Sequence, residues 1–447
     1  MKGGFKAPFV LYTYKPGETA TGANNVEYYN RIYAMSVKFY IHVFLIILAT
    51  LIYFISNFHR VAVPGAVFSL LQEDLKVSAP YITALGAVFM YTYAVSQIFI
   101  GLLADKYRGL RVIGAGSAMF AAGSLIFAFS SDIYWLYLSR ILMGFGAGCL
   151  YLSIVKELEC CVSPKNLGLA LSAVLFLGYC GGIVANAPFI YCIKAFGYGH
   201  TMTAIAFATL LLTLFFIMTG ASFRLTEINK TLKFNLEPYR EILSDKKNIN
   251  LFIFGALNYG LFYVIQTVIG KKFLEDFCAM PSEKAAWVLS IMSVISAFSG
   301  IFLASLSRVF GGRKAVFFRI SAFMTLISFA AVCLLLILDI RNIIPAGLFF
   351  ILSGAGTMSP LLVMTVNEQN RAEINVTAVG LMNALFFFVV GLLGNAVGFL
   401  MNLYPPVIKG NLSVYDNRSY LAVFSVLLLL SMAEVYTAIK QKDDARV

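Results

Sequence analysis

Twelve apolar stretches, each long enough to cross a lipid bilayer, run along this 447-residue chain with short connections between them. A bilayer-spanning helix needs about 20 mainly apolar residues. Soluble domains carry about a quarter of their residues as charged side chains, whereas this chain is 60% hydrophobic and 13% charged. The sequence therefore predicts an all-α membrane protein without a large catalytic domain. The stretches lie at 40–71, 80–104, 111–130, 133–157, 166–193, 201–223, 249–271, 285–307, 315–338, 343–366, 374–402 and 419–439.

A polar connection at 224–248 divides the twelve stretches into two sets of six. We therefore predict a cytoplasmic amino-terminal tail at 1–38, a six-helix bundle at 39–223, a cytoplasmic linker at 224–248, a second six-helix bundle at 249–439 and a cytoplasmic carboxyl tail at 440–447. The first apolar stretch is too long for the core of a signal peptide, so no cleaved leader is expected.

The basic residues give an expected orientation. If the amino terminus is cytoplasmic, 24 of the 34 basic residues fall in cytoplasmic segments and 8 in outer segments, with Arg60 and Arg140 inside spans. This bias follows the positive-inside rule. The net charge of +12 is thus mainly topological, and no nucleic-acid partner is expected. We expect a multi-pass protein of a bacterial inner membrane, with the lipid bilayer as its surroundings.

Patterns of soluble enzymes do not occur in the sequence. The seven cysteines show no C-x-x-C pair and are expected to be buried thiols, although Cys192 and Cys278 leave a disulfide open. Gly144, Gly146 and Gly148 lie within an apolar stretch without a preceding strand, so they indicate close helix packing and no dinucleotide site. No metal site, cofactor or enzymatic activity is predicted. Pro64, Pro188 and Pro360 are expected kink points.

The two halves of the chain repeat one loop. An offset of 202 residues places Lys106 on Arg308, Gly109 on Gly311 and Arg111 on Arg313, while Asp105 falls on Ser307. Two six-helix bundles related by a pseudo-two-fold axis, with a site between them near the middle of the bilayer, are typical of secondary transporters.

The loop from Gly101 to Arg111 resembles the signature between spans two and three of the major facilitator superfamily. Arg140, Gly144, Gly146 and Gly148 are similar to the arginine-and-glycine pattern of the family's span four. The resemblance covers roughly residues 40–439. It implies a gating role for the loop residues, in which the acid pairs with a neighbouring helix end in one state and releases it in the other. These residues are Gly101, Asp105, Lys106, Arg108, Gly109 and Arg111, with Arg308 and Arg313 in the second half. Because Ser307 replaces an acid, the second-half ion pair is expected to be weak or absent.

Within the superfamily, the segment from Asn57 to Arg60 and the segment from Tyr91 to Gln97 look more like the branch of sugar-phosphate permeases and anion:cation symporters. Span five lacks the Gly-Pro pair typical of drug:proton antiporters. Lys156 is similar in position to a basic residue of the sugar-phosphate branch.

Ionisable side chains inside spans are rare and often functional. Arg60 and Arg140 are predicted to lie at similar depth and to bind an anion through their guanidinium forks. The alternatives are that Arg140 holds helices together through backbone carbonyls and that Arg60 reaches the membrane interface. Glu434, near the end of span twelve, is expected to be interfacial. His59 is the candidate for proton coupling, and packing is its alternative role.

Other polar side chains share helix faces with these arginines or line the second half. Spacings of three, four and seven residues place them on common stripes. Each stripe has ordinary packing as its alternative. The predicted substrate-binding set is Arg60, Arg140, Tyr53, Asn57, Tyr93, Gln97, Tyr151, Lys156, Tyr259, Tyr263, Gln266 and Asn383.

These observations predict a monomeric secondary transporter that takes up a small organic anion, a phosphorylated metabolite or a carboxylate, by alternating access. The coupling ion is left open among a proton, sodium and a counter-anion. Two alternatives stay open: efflux of an amphipathic compound, and a transporter-like sensor that binds ligand without moving it.

Overall fold

The computed structural model describes residues 22–222, 236–310, 313–356, 358–371, 373–409 and 412–442. Helices make up nearly all of these segments and form twelve membrane spans in two six-helix bundles, as the sequence predicted. Span 5 consists of two helices that meet at 48°. The spans, numbered 1 to 12, are Val37–Ala62, Ala79–Ile100, Gly109–Phe129, Ile133–Cys161, Leu169–Val184 with Ala187–Phe196, Tyr198–Ala221, Lys246–Asp276, Ser282–Ser307, Lys314–Ile337, Ile344–Gln369, Asn375–Met401 and Asn417–Ile439.

Several helices extend beyond their span or divide it. The helices are Gly22–Ala62, Gly65–Val67 (3₁₀), Phe68–Leu75, Ala79–Tyr107, Gly109–Phe129, Ile133–Gly148, Tyr151–Cys161, Pro164–Val184, Ala187–Phe196, Tyr198–Ser222, Glu237–Ser244, Lys246–Val264, Ile265–Ile269 (π), Gly270–Asp276, Ser282–Val309, Lys314–Ile337, Ile344–Ala355, Ser359–Gln369, Asn375–Met401 and Asn417–Ile439. Spans 5 and 10 break where predicted, because Pro188 and Pro360 each open a new helix.

Two sides of the membrane are distinguished below. The linker side holds the linker helix Glu237–Ser244, and the far side is the opposite one. On the far side, the helix Phe68–Leu75 follows span 1 and a short hairpin joins spans 11 and 12. The hairpin pairs β1 (Val407–Lys409) with β2 (Leu412–Val414), and neither strand was predicted from the sequence.

Two predicted span boundaries were wrong. Span 1 ends at Ala62 instead of residue 71, because the chain turns at Pro64 into a separate helix. Span 7 continues to Asp276 instead of residue 271. The two lysines that were read as its end, Lys271 and Lys272, are 3% and 2% exposed and pair with acids one turn later in the same helix.

The most buried span is span 7, with 83% of its apolar window inside the protein, whereas spans 6 and 8 bury 22% and 31%. A helix that is apolar on every side can face lipid or protein. The buried fraction of each span therefore reports where the span lies in the bundle. Span 7 therefore lies at the centre and spans 6 and 8 face lipid.

Spans 2 and 11 pack closely along their length and join the two bundles. A Cβ atom on Gly398 would lie 2.0 Å from Thr83 Oγ1, and one on Gly391 would lie 2.6 Å from the Tyr91 ring. Small residues allow such close helix contacts in membranes, where apolar burial does not drive association. Asn395 also donates to the Tyr91 hydroxyl at 3.0 Å.

Candidate functional site

Arg60 lies near the end of span 1 and is 3% exposed. Its Nη1 donates to Asn57 Oδ1 at 3.2 Å, and Asn57 Nδ2 donates to the Tyr53 carbonyl at 2.9 Å. These contacts follow from the spacing of three and four residues that places the side chains on one helix face. Arg60 Nε and Nη2 form no hydrogen bond of ordinary geometry with the described residues, although the Tyr93 hydroxyl lies near the guanidinium. The guanidinium thus keeps donors for a ligand.

Aromatic rings from two other spans surround this guanidinium. Its central carbon lies 4.4 Å from the ring centroid of Tyr93, 4.7 Å from that of Phe387 and 6.0 Å from that of Phe89. Such contacts are cation–π interactions. Across the described residues, no carboxylate forms an ion pair with Arg60. Rings therefore hold the positive charge without neutralising it.

Six tyrosines complete the surroundings of Arg60, and we call them the tyrosine box. The Tyr259 and Tyr263 rings of span 7 stack at 4.7 Å, and Tyr53 stacks on Tyr151 of span 4 at 5.7 Å. A tyrosine hydroxyl can donate and accept a hydrogen bond. The tyrosine box comprises Tyr53, Tyr93, Tyr151, Tyr179, Tyr259 and Tyr263.

Tyr179 of span 5 was missed by the sequence analysis. It is 41% exposed, yet it lies close enough to Arg60 and Tyr263 to interact electrostatically with both. Tyr179 therefore belongs to the surroundings of Arg60 although its own side chain is partly exposed. No pattern within span 5 distinguishes this tyrosine from a lipid-facing one, so only the tertiary structure finds it.

The two predicted glutamines belong to helix contacts more than to the box. Gln97 Nε2 donates to the Gly148 carbonyl at 3.0 Å, and Gln266 Nε2 donates to Ser293 Oγ at 2.7 Å. Their Oε1 atoms have no hydrogen-bond partner within the described segments. Asn383 and Lys156 are half-buried.

The prediction that Arg140 is a second anion-binding arginine needs correction. Its Nε donates to the Leu85 carbonyl at 3.0 Å, Nη1 to His59 at 3.2 Å and Nη2 to Val63 at 3.1 Å. The ring of Phe89 lies between the two guanidiniums, 4.5 Å from that of Arg140. Arg140 is fully buried. It links span 4 to span 2 and to the end of span 1 by donating to their backbone carbonyls. These contacts match the alternative role given above, in which Arg140 holds helices together.

His59, the proposed proton-coupling residue, is also placed apart from the box. Its Nε2 lies 3.2 Å from Ser124 Oγ of span 3, and its ring packs edge-on against Phe58, Phe120 and Phe127. The adjacent residue on a helix points about 100° away. His59 thus packs inside the first bundle, while Arg60 faces the second.

An acid from span 4, outside the predicted gating loop, lies against that loop. Glu157, at the end of span 4, accepts from the Leu110 amide at 2.9 Å and contacts His42 Nε2 at 2.7 Å. It fills the space beside Gly109, where a Cβ would lie 2.6 Å from its Oε1. A carboxylate at this position satisfies an amide at the amino end of span 3.

The structure describes the side chains of only some of the other predicted gating residues. Lys106 lies over the Tyr107 ring at 5.2 Å, and Arg108 has a φ of 67° where span 3 begins. Arg111 and Arg313 are exposed. The side chains of Asp105 and Arg308 lie outside the described residues, and so does the burial of Gly101.

The expectation of a weak or absent ion pair at the Ser307 position stays a prediction, and the structure shows a different ion pair nearby. Lys314, which opens span 9, pairs with Glu368 near the end of span 10 at 2.5 Å. This contact joins the same two helix ends as Glu157 does in the first half. The acid comes from the following span, which is why comparison of the two loops alone missed it.

The far side of the two bundles is closed by contacts between them. Ser69 Oγ donates to Glu275 Oε2 at 3.1 Å, and Gln72 Nε2 donates to the Tyr415 hydroxyl at 2.8 Å. Lys194 of span 5 pairs with Glu283 of span 8 at 2.5 Å. These three contacts join the two bundles on the far side of the tyrosine box.

Glu434, expected at the membrane interface, is fully buried inside the second bundle. Asn258 of span 7 donates to its Oε1 at 2.8 Å.

No group of three metal-ligating side chains occurs in the described segments.

Comparisons with known proteins agree with this geometry. Residues 46–395 match the family model of the Major Facilitator Superfamily. The MFS-type transporter YcxA of Bacillus subtilis, named as uncharacterized, is 23% identical over 372 residues, which cover 79% of this chain and 82% of YcxA.

Two further relatives match over shorter segments, less than two thirds of their own length. The inner membrane transport protein YajR of Escherichia coli is 36% identical over 98 residues, 19% of this chain and 22% of YajR. The probable sulfoacetate transporter SauU of Cupriavidus necator is 22% identical over 166 residues, 37% of this chain and 38% of SauU.

Solved structures share the fold. A peptide transporter POT in complex with sulfate superposes with a TM-score of 0.67 at 14% identity, over 88% of this chain and 94% of that one. A bacterial homolog of the human lysosomal transporter Spinster, inward-facing and occupied, gives 0.69 at 14% identity, over 89% and 96%.

Proposed function

We propose, from the premise that this chain belongs to the Major Facilitator Superfamily, that it is a secondary transporter of a small organic anion. The two bundles would rock about the tyrosine box and open it to one side of the membrane at a time. The superfamily and its transporter members support membrane transport as such. The anionic substrate, uptake as the direction and alternating access are our proposal.

One observation carries the anionic substrate: Arg60 is buried, and two of its nitrogens form no hydrogen bond of ordinary geometry with the described residues. A buried charge without a counterion is costly, so such sites gain from binding the opposite charge. Carboxylates and phosphates accept two parallel hydrogen bonds from a guanidinium. The hydroxyls of the tyrosine box can add neutral hydrogen-bond donors to those of Arg60.

The closed far side fits one state of a transport cycle. Contacts such as Ser69 with Glu275 and Gln72 with Tyr415 must break before the box opens to that side. An anion that neutralises Arg60 would favour the box closing around it. Binding energy at Arg60 would then be available to shift the balance between the two states.

The name of SauU points in the same direction, since sulfoacetate carries a sulfonate and a carboxylate. We therefore place sulfoacetate first in a panel with phosphorylated sugars, di- and tricarboxylates and nucleotides. The sugar-phosphate and anion:cation symporter branch remains part of the proposal, as do a bacterial inner membrane, cytoplasmic termini, a monomer and the domain limits given above.

The test is a thermal-shift screen of the purified protein against this panel, followed by counterflow in proteoliposomes. We expect at least one anion to stabilise the wild type and to be exchanged across the membrane. Arg60→Ala should lose both effects, and Arg60→Lys should recover little because lysine lacks the bidentate fork. Arg240→Ala, at an exposed arginine of the linker helix, is the matched control.

Each alternative gives a different result. A sensor would bind an anion without exchanging it, and an exporter would exchange it but would not accumulate it in whole cells. If Arg60→Ala binds and exchanges the anion with normal affinity, the anion site as proposed is wrong.

A further inference from the structure

A second polar cluster lies inside the second bundle, apart from the tyrosine box. Asn258 Nδ2 donates to Glu434 Oε1 at 2.8 Å and also lies 2.9 Å from Ser321 Oγ. Ser321 Oγ donates to the Ala355 carbonyl at 2.6 Å. Glu434 has 0% exposure, and its Oε2 has no hydrogen-bond partner among the described residues. Asn258 thus links the Glu434 carboxyl of span 12 to Ser321 of span 9 and to the Ala355 carbonyl of span 10, to which it also donates at 3.2 Å.

No cation of the described residues pairs with this carboxyl. Spans 7, 9 and 11 pack against span 12. On span 9, Arg319 donates to the Gln441 carbonyl at 3.1 Å and Lys314 pairs with Glu368. On span 7, Lys246 and Lys247 lie at the linker-side end, while Tyr259 and Tyr263 belong to the box.

The remaining neighbours of Glu434 add no compensating charge. Span 11 contains no charged residue, and Tyr436 and Lys440 of span 12 are exposed. An isolated ionised carboxylate in such surroundings is strongly unfavourable, and such groups become neutral instead. The protonated form of Glu434 is therefore the one that fits this conformation.

The cluster lies next to the tyrosine box and next to the break in span 10. Asn258 directly precedes Tyr259 on span 7. One helix turn therefore holds both the residue that donates to Glu434 and a residue of the tyrosine box. Ala355 is the last residue of the first helix of span 10, at its break. A change in the charge of Glu434 therefore acts on the box and on a natural hinge.

A pocket lies beside this cluster. It has a volume of about 190 Å³, lies between spans 8, 9 and 10, and has Ser321 in its wall together with Ser299, Phe302 and Gly354. Ser321 is the hydroxyl that contacts Asn258. Ser321 and Asn258 therefore lie between the pocket and the Glu434 carboxyl.

We propose that Glu434 binds the proton that this transporter moves together with its anion, and that Asn258 is the positioning residue that links the carboxyl to the tyrosine box. This inference rests on the proposed function. In each cycle the carboxylate takes up one proton to form a carboxylic acid, and the same O–H bond breaks when the proton is released on the other side. The proton balances one negative charge of the anion, so coupling needs no further ion.

Infrared spectroscopy of the purified full-length protein tests the protonation without any ligand. At neutral pH we expect a protonated-carboxyl band in the wild type that Glu434→Gln lacks and that Glu159→Gln, at an exposed acid, retains. Asn258→Ala should move this band to higher frequency, because the carbonyl loses its donor. A wild type without the band, or Glu434→Gln with an unchanged band, overturns the proposal.

Transport of sulfoacetate into proteoliposomes separates this inference from the proposed function. Glu434→Gln should abolish accumulation driven by a pH gradient while counterflow continues and becomes independent of pH. Arg60→Ala should abolish both. Accumulation by Glu434→Gln at the wild-type level would refute proton coupling and leave the anion site intact, whereas normal transport by Arg60→Ala would refute the anion site. If sulfoacetate is not exchanged, the infrared result alone decides for or against a proton on Glu434.

Discussion

The guanidinium carbon of Arg60 lies 4.4 Å from the ring centroid of Tyr93, across the contact between spans 1 and 2. The face of an aromatic ring attracts a cation, so Tyr93 orients the guanidinium without cancelling its charge. Because Phe387 of span 11 lies 4.7 Å from the same carbon, the second bundle touches the charge as well. A movement of the bundles must therefore change the surroundings of Arg60.

Tyr93→Leu should weaken anion binding because it removes the ring that orients Arg60. A cation–π contact contributes about 0.5 to 2 kcal/mol, which corresponds to a loss of affinity of roughly 2- to 30-fold. Tyr93→Phe keeps the ring and should lose less. Isothermal titration with an anion found in the thermal-shift screen measures the effect. Phe99→Leu, at an exposed ring of the same helix, is the control, and an equal loss there would contradict the assignment.

Arg140→Ala should lower stability, whereas Arg60→Ala should lower binding. Arg140 donates to three backbone carbonyls from spans 1 and 2, and hydrogen bonds between membrane helices contribute about 0.6 to 2 kcal/mol each. We expect a clearly lower melting temperature for Arg140→Ala and a nearly unchanged one for Arg60→Ala, measured in the same detergent. Equal melting temperatures for the two variants would show that the three hydrogen bonds of Arg140 do not stabilise the protein.

Local spacing explains what the sequence predicted of the site. Tyr53, Asn57 and Arg60 share a face because a helix fixes residues three and four apart, and the contact of Asn57 with Arg60 follows directly. The apolar lengths fixed the number of spans for the same reason, since bilayer thickness sets the length of a helix.

Contacts between distant spans explain what was missed. Glu434 looks interfacial in its own span, and only Asn258 and Ser321 from two other spans show that it lies within a polar cluster. Lys271 and Lys272 look like the end of span 7 because charges usually end a span. Their acid partners four residues later were the local sign that the helix continues.

Gly144→Ala should destabilise the protein, while Gly220→Ala should not. A Cβ on Gly144 would lie 1.9 Å from Thr92 Oγ1 and 2.6 Å from the Phe89 carbonyl, and the backbone atom has no room to move away. A Cβ on Gly220 would meet nothing within 4 Å, so alanine there should be neutral or better by up to about 1 kcal/mol. Melting curves of both variants test this, and a harmless Gly144→Ala would contradict the close contact of spans 2 and 4.

Removing the buried far-side contacts should loosen that side more than removing an exposed one. Ser69→Ala with Gln72→Ala deletes two side-chain hydrogen bonds between the bundles, to Glu275 and to Tyr415. Hydrogen bonds between membrane helices are worth about 0.6 to 2 kcal/mol each, so losing two of them should raise the population of the far-side-open state roughly 8- to 800-fold. Hydrogen–deuterium exchange should therefore accelerate in peptides covering residues 65–75 and 412–420. Lys194→Ala is the matched control, since Lys194 is 69% exposed and exposed ion pairs contribute about 0 to 1 kcal/mol. If the double variant exchanges no faster than Lys194→Ala, the contacts around Glu275 and Tyr415 do not hold the far side closed.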